Sequence, residues 1–193
     1  MNLEEALRLI VITDRALVSP RSVEEVVEEA LSSGARAIQL RDKEGSAREL
    51  LAQASRLRAL TREWDALLFI NDRLDVALAA HADGVHVGPD DLPAGEVRKV
   101  APPGFLVGAS TDDPEVARTV EAAGADYIGC GTVFRTTTKK DAGEVIGVDG
   151  LDRVVSAVRI PVVGIGGVTP EGAQLIAAGS GAAGAGGRTA RGL

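Results

Sequence analysis

Seven short, uninterrupted aliphatic runs recur along the chain, each followed by a polar or amphipathic stretch. They are Leu9 to Thr13, Ala37 to Leu40, Leu67 to Ile70, Gly84 to Val87, Phe105 to Ala109, Tyr127 to Gly129 and Pro161 to Ile165. Runs that do not alternate apolar and polar residues are strands buried on both faces, as in a parallel sheet covered by helices. The intervening segments carry helix signals. Ser22 precedes Val23 to Leu31, where Val26, Val27, Ala30 and Leu31 fall at helical spacing, and Gly34 follows as a terminator. Ser46 caps Ala47 to Glu63, and shorter helical stretches lie near Leu74 to Ala80, Pro114 to Ala123, Leu151 to Val158 and Glu171 to Ala178. Seven strand–helix units in about 180 residues predict an α/β chain folded as a (β/α)8 barrel with one unit in doubt. A doubly wound open sheet is the rival. It usually carries G-x-G-x-x-G after its first strand, where this chain has Asp14-Arg15-Ala16-Leu17.

The doubtful unit is the eighth. From Gly164 onward 10 of 30 residues are glycine, and residues 180–193 contain no β-branched run. Glycine weakens a strand interior. The expectation is therefore a single barrel domain over 1–193 whose eighth β/α unit is degenerate or missing, with 180–193 an irregular glycine-rich tail.

Composition narrows the function. A formal net charge of −7 argues against broad binding to nucleic acid or an anionic membrane. With one cysteine there is no internal disulfide and no multi-cysteine metal site, which fits a reducing, cytoplasmic setting. The N-terminus does not read as a signal peptide, and no apolar run approaches the ~18 residues of a membrane span. Aromatic residues make up 3 % of the chain, so the core must be aliphatic. These features describe a chain acting on small molecules, with a homodimer compatible.

In a barrel, the C-terminal strand ends form the active-site face. Here they hold Gln39-Leu40-Arg41-Asp42-Lys43, Asn71-Asp72, Asp90-Asp91, Ser110, the 17-residue loop Gly131 to Gly147 and Gly164 to Gly167. Taken singly, each has a plain reading: surface charges at Arg41 and Lys43, a helix cap at Asp72, a solvated turn at Asp90-Asp91. Together they place cations, carboxylates and a glycine-rich turn on one face. Two carboxylates on adjacent strand ends suit Mg²⁺, which takes oxygen ligands and keeps waters for substrate phosphates. Arg41, Lys43 and Lys139 supply charge for phosphoryl oxygens. The Gly166 and Gly167 amides suit a second phosphate. The site therefore wants a pyrophosphate with Mg²⁺ and, separately, a monophosphate. The long loop reads as a lid. His81, His86 and Cys130 read as structural.

These motifs resemble those of the thiamine-phosphate synthase family, from about Ile10 to Gly179. The matching segments are Gln39 to Lys43, Phe69 to Asp72, Ala82 to Gly88 followed by Asp91, Gly108 to Ser110, Thr136 to Asp141 and Gly164 to Gly167. The resemblance implies a TIM barrel. It implies a transferase that joins 4-amino-2-methyl-5-(diphosphomethyl)pyrimidine to 4-methyl-5-(2-phosphoethyl)thiazole, releasing pyrophosphate with Mg²⁺. It makes Asp72 and Asp91 the metal ligands and Arg41, Lys43, Asn71 and Lys139 the pyrophosphate contacts. Gln39 and Ser110 would lie along the pyrimidine. Thr136, Thr138 and the Gly167 amide would approach the thiazole phosphate. The implied reaction is dissociative and needs charge neutralisation, for which Arg41, Lys43, Lys139 and Ser110 stand as the catalytic set. In the family an eighth strand completes the second phosphate site, and the glycine-rich tail departs from that pattern. Two alternatives therefore stand beside the synthase: a thiazole tautomerase-like barrel, and a non-catalytic barrel that binds phosphorylated ligands at an incomplete second site.

Overall fold

The computed structural model describes residues 2–136, 144–179 and 182–188. Among these the elements run α1 (Leu3–Ala6), β1 (Leu9–Ile12), α2 (Arg15–Val18), α3 (Val23–Ser32), β2 (Ala37–Leu40), α4 (Ala47–Glu63), β3 (Leu67–Asn71), α5 (Leu74–Ala79) and β4 (Gly84–Val87). They continue with α6 (Ala94–Val100), β5 (Leu106–Ser110), α7 (Pro114–Ala122), β6 (Tyr127–Cys130), α8 (Gly147–Val155), β7 (Val162–Ile165), α9 (Pro170–Gly179) and β8 (Gly184–Arg188). The strands pair in sequence order, all in parallel, and β8 returns to β1 to close the barrel.

The strand runs are continuous in sequence because both faces bury side chains, but in different places. Val11, Ile38, Leu40, Leu68, Ile70, Val85, Val87 and Val107 point outward and pack with Val27, Leu31, Leu50 and Leu57 of α3 and α4. A second outer cluster joins Ile128, Cys130 and Val162 to Leu151, Val154 and Ile176 of α8 and α9. Ile10, Ile12, Ala37, Phe69, Tyr127 and Val163 point inward and fill the barrel. Each fully buried aliphatic side chain is worth about 1.5–3 kcal/mol, so these two shells supply most of the folding drive without many aromatics. Burial also explains Cys130, whose thiol is pushed up to about 12 by desolvation; it is a packing residue.

Capping residues set the helix starts. Ser22 and Ser46 both form reciprocal capping boxes, with Glu25 and Glu49 respectively. At the N-terminal end of the barrel two aspartates tie strand starts to helices. Asp83 accepts from the Leu68 N–H at 2.7 Å and from both Arg58 terminal nitrogens at 2.8 and 2.9 Å. Asp126 repeats the arrangement with the Val107 N–H at 2.7 Å and Arg98 at 2.5 Å.

The tail departs from expectation. Residues 184–188 form a regular strand, so the barrel is complete in its strands. Register runs Leu9 with Ala185 through Ile12 with Arg188 on one side, and Val163 with Gly184 through Ile165 with Gly186 on the other. Hydrogen bonds on both sides hold the β8 backbone, and Ile10, Ile12, Val163 and Ile165 of the neighbouring strands supply bulk around it. Glycine is needed at the start of the strand. A Cβ on Gly184 would stand 2.0 Å from the Leu7 carbonyl oxygen. The remainder of the expected irregular tail, 180–181 and 189–193, lies outside the described residues.

Candidate active site

Three strand ends build one side of the barrel mouth. At the end of β2, the Arg41 N–H donates to Thr13 Oγ1 at 3.0 Å, holding the chain extended past the strand. Asp42 Oδ1 then accepts from the Glu44 and Gly45 amides at 3.1 and 2.9 Å, which folds the turn into α4. That turn carries Lys43 over the mouth, 3.6 Å from Asp72 Oδ2.

Asp72 does not cap α5. The N-cap position is Arg73, with no side-chain cap bond, and Asp72 sits at φ 63°, in the left-handed region. Its N–H donates to the His86 carbonyl at 2.8 Å, which pins this unfavourable backbone to β4. On the next strand end, Asp91 Oδ2 accepts from the Gly88 N–H at 2.7 Å. The two carboxylates are neighbours. Burial first, and then hydrogen bonding and repulsion from Asp91, raise Asp72 to about 6, against the opposing pull of Lys43 and Arg41. Two carboxylates crowded until one is driven toward protonation form an oxygen-only donor pair whose repulsion a hard divalent cation relieves. Among the described residues no cluster of three or more His, Cys, Asp or Glu accompanies them, so a cation here would complete its shell with water or substrate. Asn71 closes β3 beside them, half-buried and in register with His86.

Inside the mouth runs a chain of hydrogen bonds that the sequence did not announce. Gln39 is buried and bonds through its side chain to the Tyr127 hydroxyl. The Tyr127 hydroxyl lies 2.9 Å from His86 Nδ1, and His86 Nε2 lies 2.8 Å from Ser110 Oγ. Burial pushes the Tyr127 phenol far above its usual range. Gln39 and Ser110 were expected at the site; Tyr127 and His86, which join them, were not. A signal was present in the glycines of β5 and β6. A Cβ on Gly108 would come 2.2 Å from the Tyr127 ring and 2.5 Å from His86 Nδ1, and one on Gly129 would come 2.9 Å from His86 Cε1.

The far side of the mouth is formed by β6 and β7. The Gly166-Gly167 turn takes φ of 96° and 63°. The Phe134 N–H donates to the Gly166 carbonyl at 2.9 Å, and the Ile146 N–H to the Thr132 carbonyl at 2.9 Å, so both stems of the loop after β6 are tied down. A Cβ on Gly167 would stand 2.5 Å from the Phe134 and Arg135 carbonyl oxygens. Thr136 is half-buried at the loop's first stem. Thr138, Lys139 and the central part of the expected lid lie outside the described residues. A cleft of about 490 Å³ at the opposite end of the barrel, lined by Arg8, Arg159 and Ala183 among others, contains none of these residues.

Residues 9–189 match the family model described as thiamine monophosphate synthase. The chain is 51 % identical over 176 residues to a thiamine-phosphate synthase of Pyrococcus furiosus, covering 91 % of this chain and 83 % of that protein. It is 48 % identical over 173 residues to one of Moorella thermoacetica, covering 89 % and 82 %. A solved structure titled thiamine phosphate pyrophosphorylase, from Pyrococcus furiosus, superposes with a TM-score of 0.89 at 45 % identity, covering 97 % of this chain and 88 % of that one. With the barrel closed, its mouth lined by paired carboxylates and cations, and this likeness spread over nearly the whole length, the chain belongs to the thiamine-phosphate synthase family.

Proposed function

We propose how this chain carries out the synthesis of thiamine phosphate that its family membership assigns to it. The two substrates are the pyrimidine diphosphate and the thiazole phosphate. The carbon–oxygen bond between the pyrimidine methylene and the diphosphate breaks, and the diphosphate leaves with the electron pair. The thiazole nitrogen then gives its lone pair to the cationic methylene, forming the new carbon–nitrogen bond. No protein nucleophile is needed. The chain's task is to neutralise the leaving group and to hold two substrates in line.

The observation that supports this reading is the crowding of Asp72 against Asp91 beside Lys43. Asp72 and Asp91 would hold Mg²⁺. When bound, it supplies positive charge to the diphosphate oxygens. Lys43 and Arg41 reach the same diphosphate from the end of β2, Asn71 from β3 and Lys139 from the loop after β6. Gln39 and Ser110 orient the pyrimidine. Thr136, Thr138 and the Gly167 amide receive the thiazole phosphate, which keeps the two anionic groups on opposite sides of the mouth. The alternative of a disabled, non-catalytic barrel rested on a missing eighth β/α unit and an incomplete second phosphate site, and the strand of that unit, β8, is present. A tautomerase would have no use for a carboxylate pair beside phosphate-binding cations. Among the described residues no helix is long and apolar enough to cross a membrane.

The test is thiamine phosphate and pyrophosphate formation from the two substrates, with Mg²⁺ and after its removal by chelation. Stoichiometric formation of both products only with Mg²⁺ is expected. No product at saturating substrates and Mg²⁺ overturns the reading, and full activity after chelation overturns the metal assignment.

A further inference from the structure

β1 and β2 separate at the edge of the mouth, and one hydroxyl holds them together for a further residue. Thr13 is buried, and its N–H donates to the Gln39 carbonyl at 2.9 Å. In a parallel ladder the carbonyl of that same residue would next accept from the N–H two places along the neighbouring strand, which here is Arg41. The Arg41 N–H goes instead to Thr13 Oγ1 at 3.0 Å, and the hydroxyl lies 3.5 Å from the Arg41 carbonyl. The first of these bonds has one direction only, since a backbone N–H cannot accept. The reason for the replacement is local. Asp14 caps α2, accepting from the Ala16 N–H at 3.1 Å, so the chain leaves β1 directly after Thr13. The side chain takes the place of the departing carbonyl.

This replacement decides where Arg41 stands. β2 is regular only to Leu40, which pairs with Ile70 of β3 and packs outward among the helices. Gln39 is buried on the opposite, inner side, and alternation returns Arg41 to that side only while the chain stays extended. The residue after it already belongs to a turn, in which Asp42 accepts from the Gly45 N–H at 2.9 Å. Arg41 therefore sits between the end of the ladder and the turn, and Thr13 Oγ1 is the partner of its N–H. β1 itself is aliphatic from Leu9 to Ile12, and a buried hydroxyl beside such a run is unfavourable unless it is bonded. Among the described residues the Thr13 hydroxyl bonds to Arg41 alone. Valine has the same shape and would bury more readily, so packing does not account for the hydroxyl.

We propose that Thr13 is a positioning residue for the diphosphate: its hydroxyl keeps β2 extended through Arg41 and so directs the Arg41 side chain to the barrel mouth. This rests on the assignment of Arg41 to the diphosphate. Thr13 touches no substrate and acts through Arg41.

Thr13→Val removes the hydroxyl and keeps the shape, and Thr13→Ser keeps the hydroxyl. Hydrogen exchange at the Arg41 amide needs no ligand; it should be faster by about tenfold or more in Thr13→Val and within about threefold of the parent in Thr13→Ser. Calorimetry with inorganic pyrophosphate plus Mg²⁺, and separately with the thiazole phosphate, reads the two sides of the mouth. Thr13→Val should weaken pyrophosphate by about fivefold or more, leave the thiazole phosphate within about twofold, and add nothing to the loss in Arg41→Ala when the two are combined. Thr13→Ser should bind pyrophosphate within about twofold of the parent. Thr13→Ala serves as the hydroxyl-free variant if the valine does not fold. An unchanged Arg41 amide, equal weakening of both ligands, or additive losses in the double variant overturns the positioning role. A loss of pyrophosphate affinity in Arg41→Ala with none in Thr13→Val overturns that role alone. If Arg41→Ala itself binds pyrophosphate as the parent does, the assignment of Arg41 to the diphosphate fails and the role of Thr13 falls with it.

Discussion

Lys43 Nζ lies 3.6 Å from Asp72 Oδ2, so the lysine best placed to meet a diphosphate rests on one of the two carboxylates best placed to hold a metal. Lys43 is half exposed there, and an exposed pair of this kind is worth less than about 1 kcal/mol. A pair held so loosely costs little to open.

Asp72→Asn and Asp91→Asn keep shape and remove one charge each. Both should cut Mg²⁺-dependent turnover by more than about tenfold, roughly 1.4 kcal/mol of transition-state stabilisation. Rates measured across a Mg²⁺ titration check this; unchanged activity at limiting and saturating Mg²⁺ removes the two residues from the metal site.

Without divalent cations, Asp72 makes stability depend on pH. Its folded pKa, about 6, is above the ordinary aspartate value of 3.8, so the folded state binds more protons between these values. Stability therefore falls as pH rises through that window. Asp72→Asn should be more stable than the parent above pH about 6, by on the order of 1–2 kcal/mol after solvent screening, with the gap closing toward pH about 4. Urea midpoints measured in chelator from pH 4 to 8 test the sign.

Arg41→Ala should weaken the diphosphate substrate far more than the thiazole phosphate, because Arg41 leaves β2 on the carboxylate side of the mouth and contributes to the field at Asp72. Calorimetric titration of each substrate separates the two. Equal losses would make Arg41 a structural residue.

Gly184→Val should destabilise the barrel by about 1–3 kcal/mol or prevent closure, since even a Cβ there would meet the Leu7 carbonyl at 2.0 Å. Thermal unfolding of the variant beside its parent gives the answer. A raised melting temperature would mean that β8 wants bulk after all.

Continuous aliphatic runs at regular spacing carried the barrel, because a strand buried on both faces leaves that mark in its own residues. Ser22 and Ser46 carried their helix starts for the same reason: a capping box is a contact across three residues. Gln39, Arg41, Lys43, Asn71, Asp72, Asp91 and Ser110 were legible as strand-end polar residues. Three matters belonged to the tertiary structure. Gly184 to Arg188 has almost nothing of its own to bury, and becomes a strand because β1 and β7 offer hydrogen bonds on both sides and take up the space. Asp72 owes its raised pKa first to burial and then to Asp91, which is 19 positions away in sequence and adjacent only once β3 and β4 pair. His86 and Tyr127 read as ordinary strand residues, since inward and outward positions alternate with the same apolar neighbours. Only barrel closure turns both inward, across glycines, to meet between Gln39 and Ser110. Local sequence fixes what depends on near neighbours; which distant polar groups share a small buried volume is set by the curvature of the sheet.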